Sequence, residues 1–293
     1  MVLPRLALVA GLLALGLGGA TARPALARPA RVLVFRFVDH SRVAIFRDGA
    51  RRPRALVTYV RLPPSGRGPF PLIVFGHGFA LLPADYAGLL DAWARAGYVV
   101  AAPVFPVENA HAPGGPDESD LSNQPGDISF VVSRLLAADA SSGSPLHGLV
   151  DASRIAVAGH SDGAETAFAV AYERRYLDRR VRAAVILSGA ELAPAALAAA
   201  AESPPLLAVQ GTADRVNAPQ FTYAFFRAVG RPKYLLSLLG AGHLTPYTSD
   251  ARQLGVVERV TIAFLDHYLR RGSLTRLLAA GRVPGIACLT ADP

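Results

Sequence analysis

The sequence predicts a protein of the α/β class: a doubly wound, mostly parallel sheet with antiparallel strands at its N-terminal edge. Six short, almost wholly apolar runs indicate strands covered on both faces: Leu72–Gly76, Tyr98–Ala102, Ile155–Gly159, Ala183–Ser188, Leu206–Gln210 and Tyr234–Leu239. Helical patterns fall between them, at Asp85–Ala96, Asp127–Ala138, Glu165–Asp178, Gln220–Val229 and Asp250–Arg271. Such alternation implies right-handed crossovers within one sheet. Upstream, the β-branched and aromatic runs Val32–Val38, Val43–Arg47 and Leu56–Leu62 are separated by turn residues, as in antiparallel edge strands.

The chain has 293 residues, enough to bury a sizeable core. With 52% hydrophobic and 18% charged residues, a disordered or collagen-like chain is excluded. Cys288 is the only cysteine, which removes intrachain disulfides and cysteine-based metal sites. We expect it to be a half-buried apolar residue. The net charge of +8 is concentrated in residues 23–61, where ten Arg face only Asp39 and Asp48. That patch leaves room for transient contact with a membrane or other anionic surface. No basic stripe interleaved with aromatics is present, so no nucleic-acid partner is expected. Lys233 is the one Lys among the 30 basic residues, and coding bias is the plainer account of the arginines.

Residues 1–22 read as a cleaved signal peptide. Arg5 precedes the uncharged run Leu6–Ala20, which is short for a membrane span, and Ala20-Thr21-Ala22 supplies small residues for cleavage. The expectation is therefore export, with residues 23–293 forming a single domain.

In doubly wound sheets, ligands bind beyond the C-terminal ends of the strands. Four motifs stand at such exits. Gly159-His160-Ser161-Asp162-Gly163 follows a strand and precedes a helix. The turn is so tight that side chains two residues either side of Ser161 would collide with backbone. It lifts the Ser161 hydroxyl clear of the sheet with helix amides behind it. Gly76-His77-Gly78-Phe79 lets the chain bend back over the sheet, with the Phe79 amide directed toward a carbonyl above Ser161. His77 suits a structural hydrogen-bonding role. Gly211-Thr212-Ala213-Asp214 and Gly240-Ala241-Gly242-His243 follow the last two runs. Asp214 can orient an imidazole, and His243 can supply one. The bland alternatives are a helix cap at Ser161, an ordinary glycine turn at Phe79, a turn residue at Asp214 and a surface histidine at His243.

The order Ser161, Asp214, His243 is the nucleophile–acid–base order of the α/β-hydrolase fold. Residues 55–271 resemble that superfamily, in particular its secreted bacterial esterase and lipase branch. Asp151–Gly163 and Gln124-Pro-Gly-Asp127-Ile are similar to relatives of dienelactone hydrolase, chlorophyllase and platelet-activating-factor acetylhydrolase. The resemblance implies Ser161 as nucleophile, His243 as general base then acid, Asp214 as orienting carboxylate, and an oxyanion hole from the amides of Phe79 and Asp162. It implies no metal and no organic cofactor. Ser161 departs from the Cys nucleophile of plain dienelactone hydrolases. Asp162 and the placement of the single Trp, Trp93, in the first helix depart from secreted polyester hydrolases.

We therefore expect a secreted serine hydrolase of carboxylic esters, with short- to medium-chain or lipid-like acyl groups. An amidase, peptidase or thioesterase on the same scaffold is the alternative, followed by a polyester hydrolase or a non-catalytic binding protein. Leu81, Leu82, Tyr86 and Tyr247 are expected near the cleft mouth, where they would line the substrate pocket. Asp117, Glu118 and Asp120 read as a solvated acidic loop and Asp127 as a helix cap. The arginines from Arg174 to Arg182 read as cations at a helix C-terminus. The 17 residues between Ser188 and Leu206 leave little room for a lid. A monomer is expected.

Overall fold

The computed structural model describes residues 30–190 and 203–293. The expected signal peptide, and most of the segment expected to be too short for a lid, lie outside these residues. One nine-stranded sheet has the order β1-β2-β4-β3-β5-β6-β7-β8-β9. Its strands are β1 (Arg31–Ile45), β2 (Arg51–Leu62), β3 (Phe70–Gly76), β4 (Val99–Pro103), β5 (Val150–His160), β6 (Val181–Leu187), β7 (Leu206–Gly211), β8 (Lys233–Leu238) and β9 (Ala287–Asp292). Strands β3 to β8 pair in parallel, whereas β1 with β2, β2 with β4, and β8 with β9 are antiparallel. The mostly parallel sheet and its antiparallel N-terminal edge are as expected.

Two expected strands, Val32–Val38 and Val43–Arg47, are one. A bulge between Asp39 and Val43 joins them. The Asp39 carboxylate accepts hydrogen bonds from the Ser41 amide and hydroxyl, which holds the extra residues while both halves keep pairing with β2. Strand β9 was not foreseen. Its sequence, Ala-Cys-Leu-Thr-Ala-Asp, holds no run of large β-branched or aromatic residues, and it forms a half-buried edge strand. Cys288 is exposed there, not half-buried.

Alternating strand side chains feed two cores. Ile73, Phe75, Val100, Val185 and Val209 pack with α1 (Ala87–Arg95) and α6 (Ala251–Arg270) around Trp93, Val260 and Phe264. Leu72, Val74, Ala184, Ile186 and Ala208 face the opposite layer, formed by α2 (Gln124–Ala140), α3 (Asp162–Tyr172) and α4 (Pro219–Ala228). Both faces are thus covered, which explains the uninterrupted apolar runs. The Trp93 indole donates to the Thr261 hydroxyl at 2.8 Å, tying α1 to α6.

Several boundaries differ from expectation. The final helix, α6, fills the expected Asp250–Arg271, with the Asp250 carboxylate capping it by accepting from the Arg252 and Gln253 amides, but the short α5 (Thr245–Thr248) before it was not foreseen. Helix α7 (Leu274–Ala280) was missed. Helix α3 starts immediately after Ser161 and ends at Tyr172. Arg174 to Arg182 therefore lie beyond it, and Arg180 pairs with Asp178 rather than with helix carbonyls.

Asp120 and Asp127 are neither a solvated loop residue nor a simple cap. Both are buried, and both bind the fully buried guanidinium of Arg54. Arg54 reaches Asp120 through Nη1 and Nη2, and Asp127 through Nε and Nη2. At least two of the ten N-terminal arginines thus belong to the interior, Arg54 and Arg61, the latter paired with Asp91. Burial pulls the pKa of Arg54 down, but the hydrogen bonds and charges of its two carboxylates outweigh this and hold it well above its ordinary range.

Candidate active site

The site begins with backbone. Ser161 has φ 55° and ψ −123°, a conformation that L residues rarely adopt. Glycine makes the surrounding turn possible. A methyl group on Gly163 would lie 2.1 Å from the Gly76 carbonyl oxygen, so α3 starts in direct contact with the end of β3. Strain at Ser161 holds its hydroxyl at the start of α3, whose Asp162 amide opens the helix.

The imidazole of His243 meets that hydroxyl. Ser161 Oγ lies 3.2 Å from His243 Nε2, and His243 Nδ1 lies 2.8 Å from Asp214 Oδ2. A carboxylate can only accept, so Nδ1 carries the proton and Nε2 is free to take the one on Ser161. Asp214 is itself held: Oδ1 accepts from the Val216 and Asn217 amides, and Oδ2 accepts from Gln210 Nε2 at 3.1 Å. Burial raises its pKa, but the bond to His243 and these amides outweigh it and hold the carboxyl below its usual range. The structure therefore brings together Ser161, Asp214 and His243.

Phe79 stands beside them. A methyl group on Gly78 would lie 3.2 Å from Ser161 Cβ, so this turn packs on the nucleophile. The His77 ring accepts from the Phe105 amide through Nε2 and donates through Nδ1 to the Gly78 carbonyl. In a trans peptide, N–H and C=O point in opposite directions, so His77 aims the Phe79 amide away from itself. His77 is fully buried, and burial pushes it down to about 4, which keeps it neutral. Its structural role matches expectation.

Tyr86 and Tyr247 require correction. Neither lines a cleft mouth; both are fully buried. The Tyr86 hydroxyl lies 2.8 Å from His160 Nδ1, and that of Tyr247 lies 2.9 Å from the Ser188 hydroxyl. Aromatic size and loop position suggested a pocket wall, but their polar ends found partners inside the core. Leu81 and Leu82 are half-buried on the turn after Phe79.

Asn217 was overlooked. Its Nδ2 is anchored to the Ser188 carbonyl at 2.9 Å and lies 3.4 Å from Ser161 Oγ. Its position three residues after Asp214 was the available signal. Asp162 is buried beside the nucleophile, and burial together with the charge of Glu118 pushes its carboxyl up to about 6. Among the described residues, no three His, Cys, Asp or Glu side chains gather as a metal cage. A cleft of about 350 Å³ lined by Leu121, Pro125, Glu165, Ala169 and Tyr176 shares no lining residue with Ser161, Asp214 or His243.

The sheet order, the strained strand–serine–helix turn and the strand exits around it define an α/β hydrolase. Residues 38–209 match the family model described as chlorophyllase, and the chain belongs to the chlorophyllase family, whose members are carboxylic ester hydrolases. The match spans the Gly76–Phe79 turn and Ser161 and ends before Asp214 and His243. No curated protein matches the chain.

Proposed function

We propose that this protein is a serine esterase working through Ser161, His243 and Asp214. The supporting observation is the continuous contact from the Ser161 hydroxyl through the imidazole to the Asp214 carboxylate. A serine hydroxyl is a weak nucleophile near neutral pH. His243 Nε2 takes its proton as Oγ attacks the ester carbonyl carbon. Negative charge moves to the carbonyl oxygen, where the Phe79 and Asp162 amides donate hydrogen bonds. Loss of one such donor typically lowers kcat by about 10²–10³. His243 then protonates the departing alcohol. Water, deprotonated by the same imidazole, releases the acid from the acyl-enzyme, while Asp214 stabilises each imidazolium.

The substrate class is esters with an apolar portion. Phe79 and Val216 are 40% and 68% exposed, and each adjoins in sequence a residue packed on Ser161. The family's namesake substrate, a chlorophyll ester, has this character, as do the short- to medium-chain and lipid-like esters expected from sequence. Export after removal of residues 1–22, action as a monomer and transient contact with lipid surfaces complete the proposal.

Ser161→Ala is expected to keep the circular dichroism spectrum of the parent. It should lose nearly all turnover of p-nitrophenyl acetate and all labelling by a fluorophosphonate. Undiminished turnover overturns the assignment. A hydrolysis panel over acyl length, with chlorophyll, amide and polyester members, separates the substrate classes.

A further inference from the structure

Beneath Ser161 runs a chain of hydrogen bonds that the steps above leave unused. The Gly78 amide donates to the Tyr86 hydroxyl oxygen at 3.2 Å, and Tyr86 donates to His160 Nδ1 at 2.8 Å. His160 Nε2 donates to the His243 carbonyl oxygen at 2.9 Å. Donor and acceptor roles allow only this direction. The carbonyl at the far end must accept, so Nε2 carries the proton and Nδ1 must accept. Tyr86 and His160 are both fully buried. Burial and the adjacent His243 push His160 down to about 3, so the ring stays neutral and the chain keeps one polarity.

The two ends of this chain are the two parts that must stay in register. Gly78 precedes the Phe79 amide, and the carbonyl belongs to His243 itself. The middle member, His160, is the residue before the nucleophile. Its ring centroid also lies 4.6 Å from that of His243 and 5.0 Å from that of Tyr247, with the planes tilted by 46° and 51°. We propose that Tyr86 and His160 are positioning residues that hold the oxyanion turn and the general-base loop at a fixed separation. This rests on the hydrolase reading above. A misplacement of about 1 Å in such a constellation lowers rates by about 10²-fold, whereas ground-state binding is little affected.

The test compares the purified parent chain with Tyr86→Phe, which removes one oxygen and keeps the ring. Turnover of p-nitrophenyl acetate and inhibition by an alkyl trifluoromethyl ketone, which forms an oxyanion on Ser161, are measured well below the melting temperature. The expected result is a kcat lower by about 10–10²-fold, KM within about twofold, and an inhibition constant raised in proportion to the loss in kcat. His160→Gln should behave alike and carries the same readouts if Tyr86→Phe does not fold. The double variant should be no worse than the poorer single one, because one chain is broken once. A lowered melting temperature with parental kcat and inhibition constant overturns the proposal, as does full additivity. A parent chain with no Ser161-dependent turnover removes the hydrolase reading itself, and the proposal with it. An active parent with an unaffected Tyr86→Phe removes only the proposal.

Discussion

Gly159 and Gly163 face each other so closely across the elbow that a methyl group on Gly159 would lie 1.9 Å from the Gly163 carbonyl oxygen. The obstacle is backbone, which cannot rotate away as a side chain can. Gly159→Ala must therefore push α3 off β5 and move Ser161. We expect a stability loss of about 3 kcal/mol in chemical denaturation and a kcat lower by at least about 10². Gly143→Ala, where the added methyl meets nothing within 4 Å, is the matched control and should leave activity unchanged.

Asp214→Asn preserves an acceptor for the Val216 and Asn217 amides but withdraws the charge that opposes the imidazolium. The fold should survive, and kcat for p-nitrophenyl acetate should fall by about 10⁴-fold. Steady-state kinetics with a thermal melt on the same preparation checks both statements.

Arg54→Leu leaves Asp120 buried without its cation and Asp127 with only Arg42, whose Nη2 lies 2.9 Å from it. The expected destabilisation is about 3–5 kcal/mol by urea titration. Arg231→Leu breaks an ion pair with Asp292 that is open to water on the arginine side, and should change stability by no more than about 1 kcal/mol. Equal effects from the two variants would contradict the buried network.

Glu108 is fully buried, and burial together with the charge of Asp162 pushes its carboxyl up to about 9 from an ordinary 4.5. Its Oε2 accepts from Gln124 Nε2, whereas Oε1 is buried with no hydrogen-bond partner among the described residues. The folded chain therefore holds a proton that the unfolded chain releases. Stability from this group is complete below about pH 4.5 and is lost as the pH rises to about 9. Asp162, pushed up to about 6, and Glu165, pushed up to about 8, act in the same direction. His77 and His160, both pushed down from an ordinary 6.5, oppose this trend only below about that pH, so melting temperatures measured from about pH 7 to pH 9 should fall. Glu108→Gln should make that fall shallower; a slope identical to the parent's would refute the assignment of the buried proton.

Much of this molecule is written in local pattern. Apolar runs located the parallel strands to within two residues, because a strand buried on both faces has no polar positions to blur it, except at β5, whose largely polar and partly exposed start, residues 150–154, precedes the expected Ile155. The elbow was equally legible, since Gly159, Ser161 and Gly163 meet their constraint within five residues of chain. Strand β9 was not legible, because a half-buried edge strand needs few large β-branched or aromatic residues. The placements of Tyr86 and Tyr247 were misjudged for a different reason. A tyrosine reads the same whether its hydroxyl meets water or a buried histidine.

Other features exist only once the sheet is assembled. Arg54 and its carboxylates are separated by 66 and 73 residues, and no periodicity ties a cation to partners so distant. The approach of His243 to Ser161 likewise depends on β5, β6, β7 and β8 lying side by side in that order. Residue types and their order along the chain named the three groups of the proposed site, because strand exits in this kind of sheet are where side chains meet ligands. Distance, burial and hydrogen-bond direction were decided by packing. They depend on which segments become neighbours in space, and a linear pattern records only which are neighbours in chain.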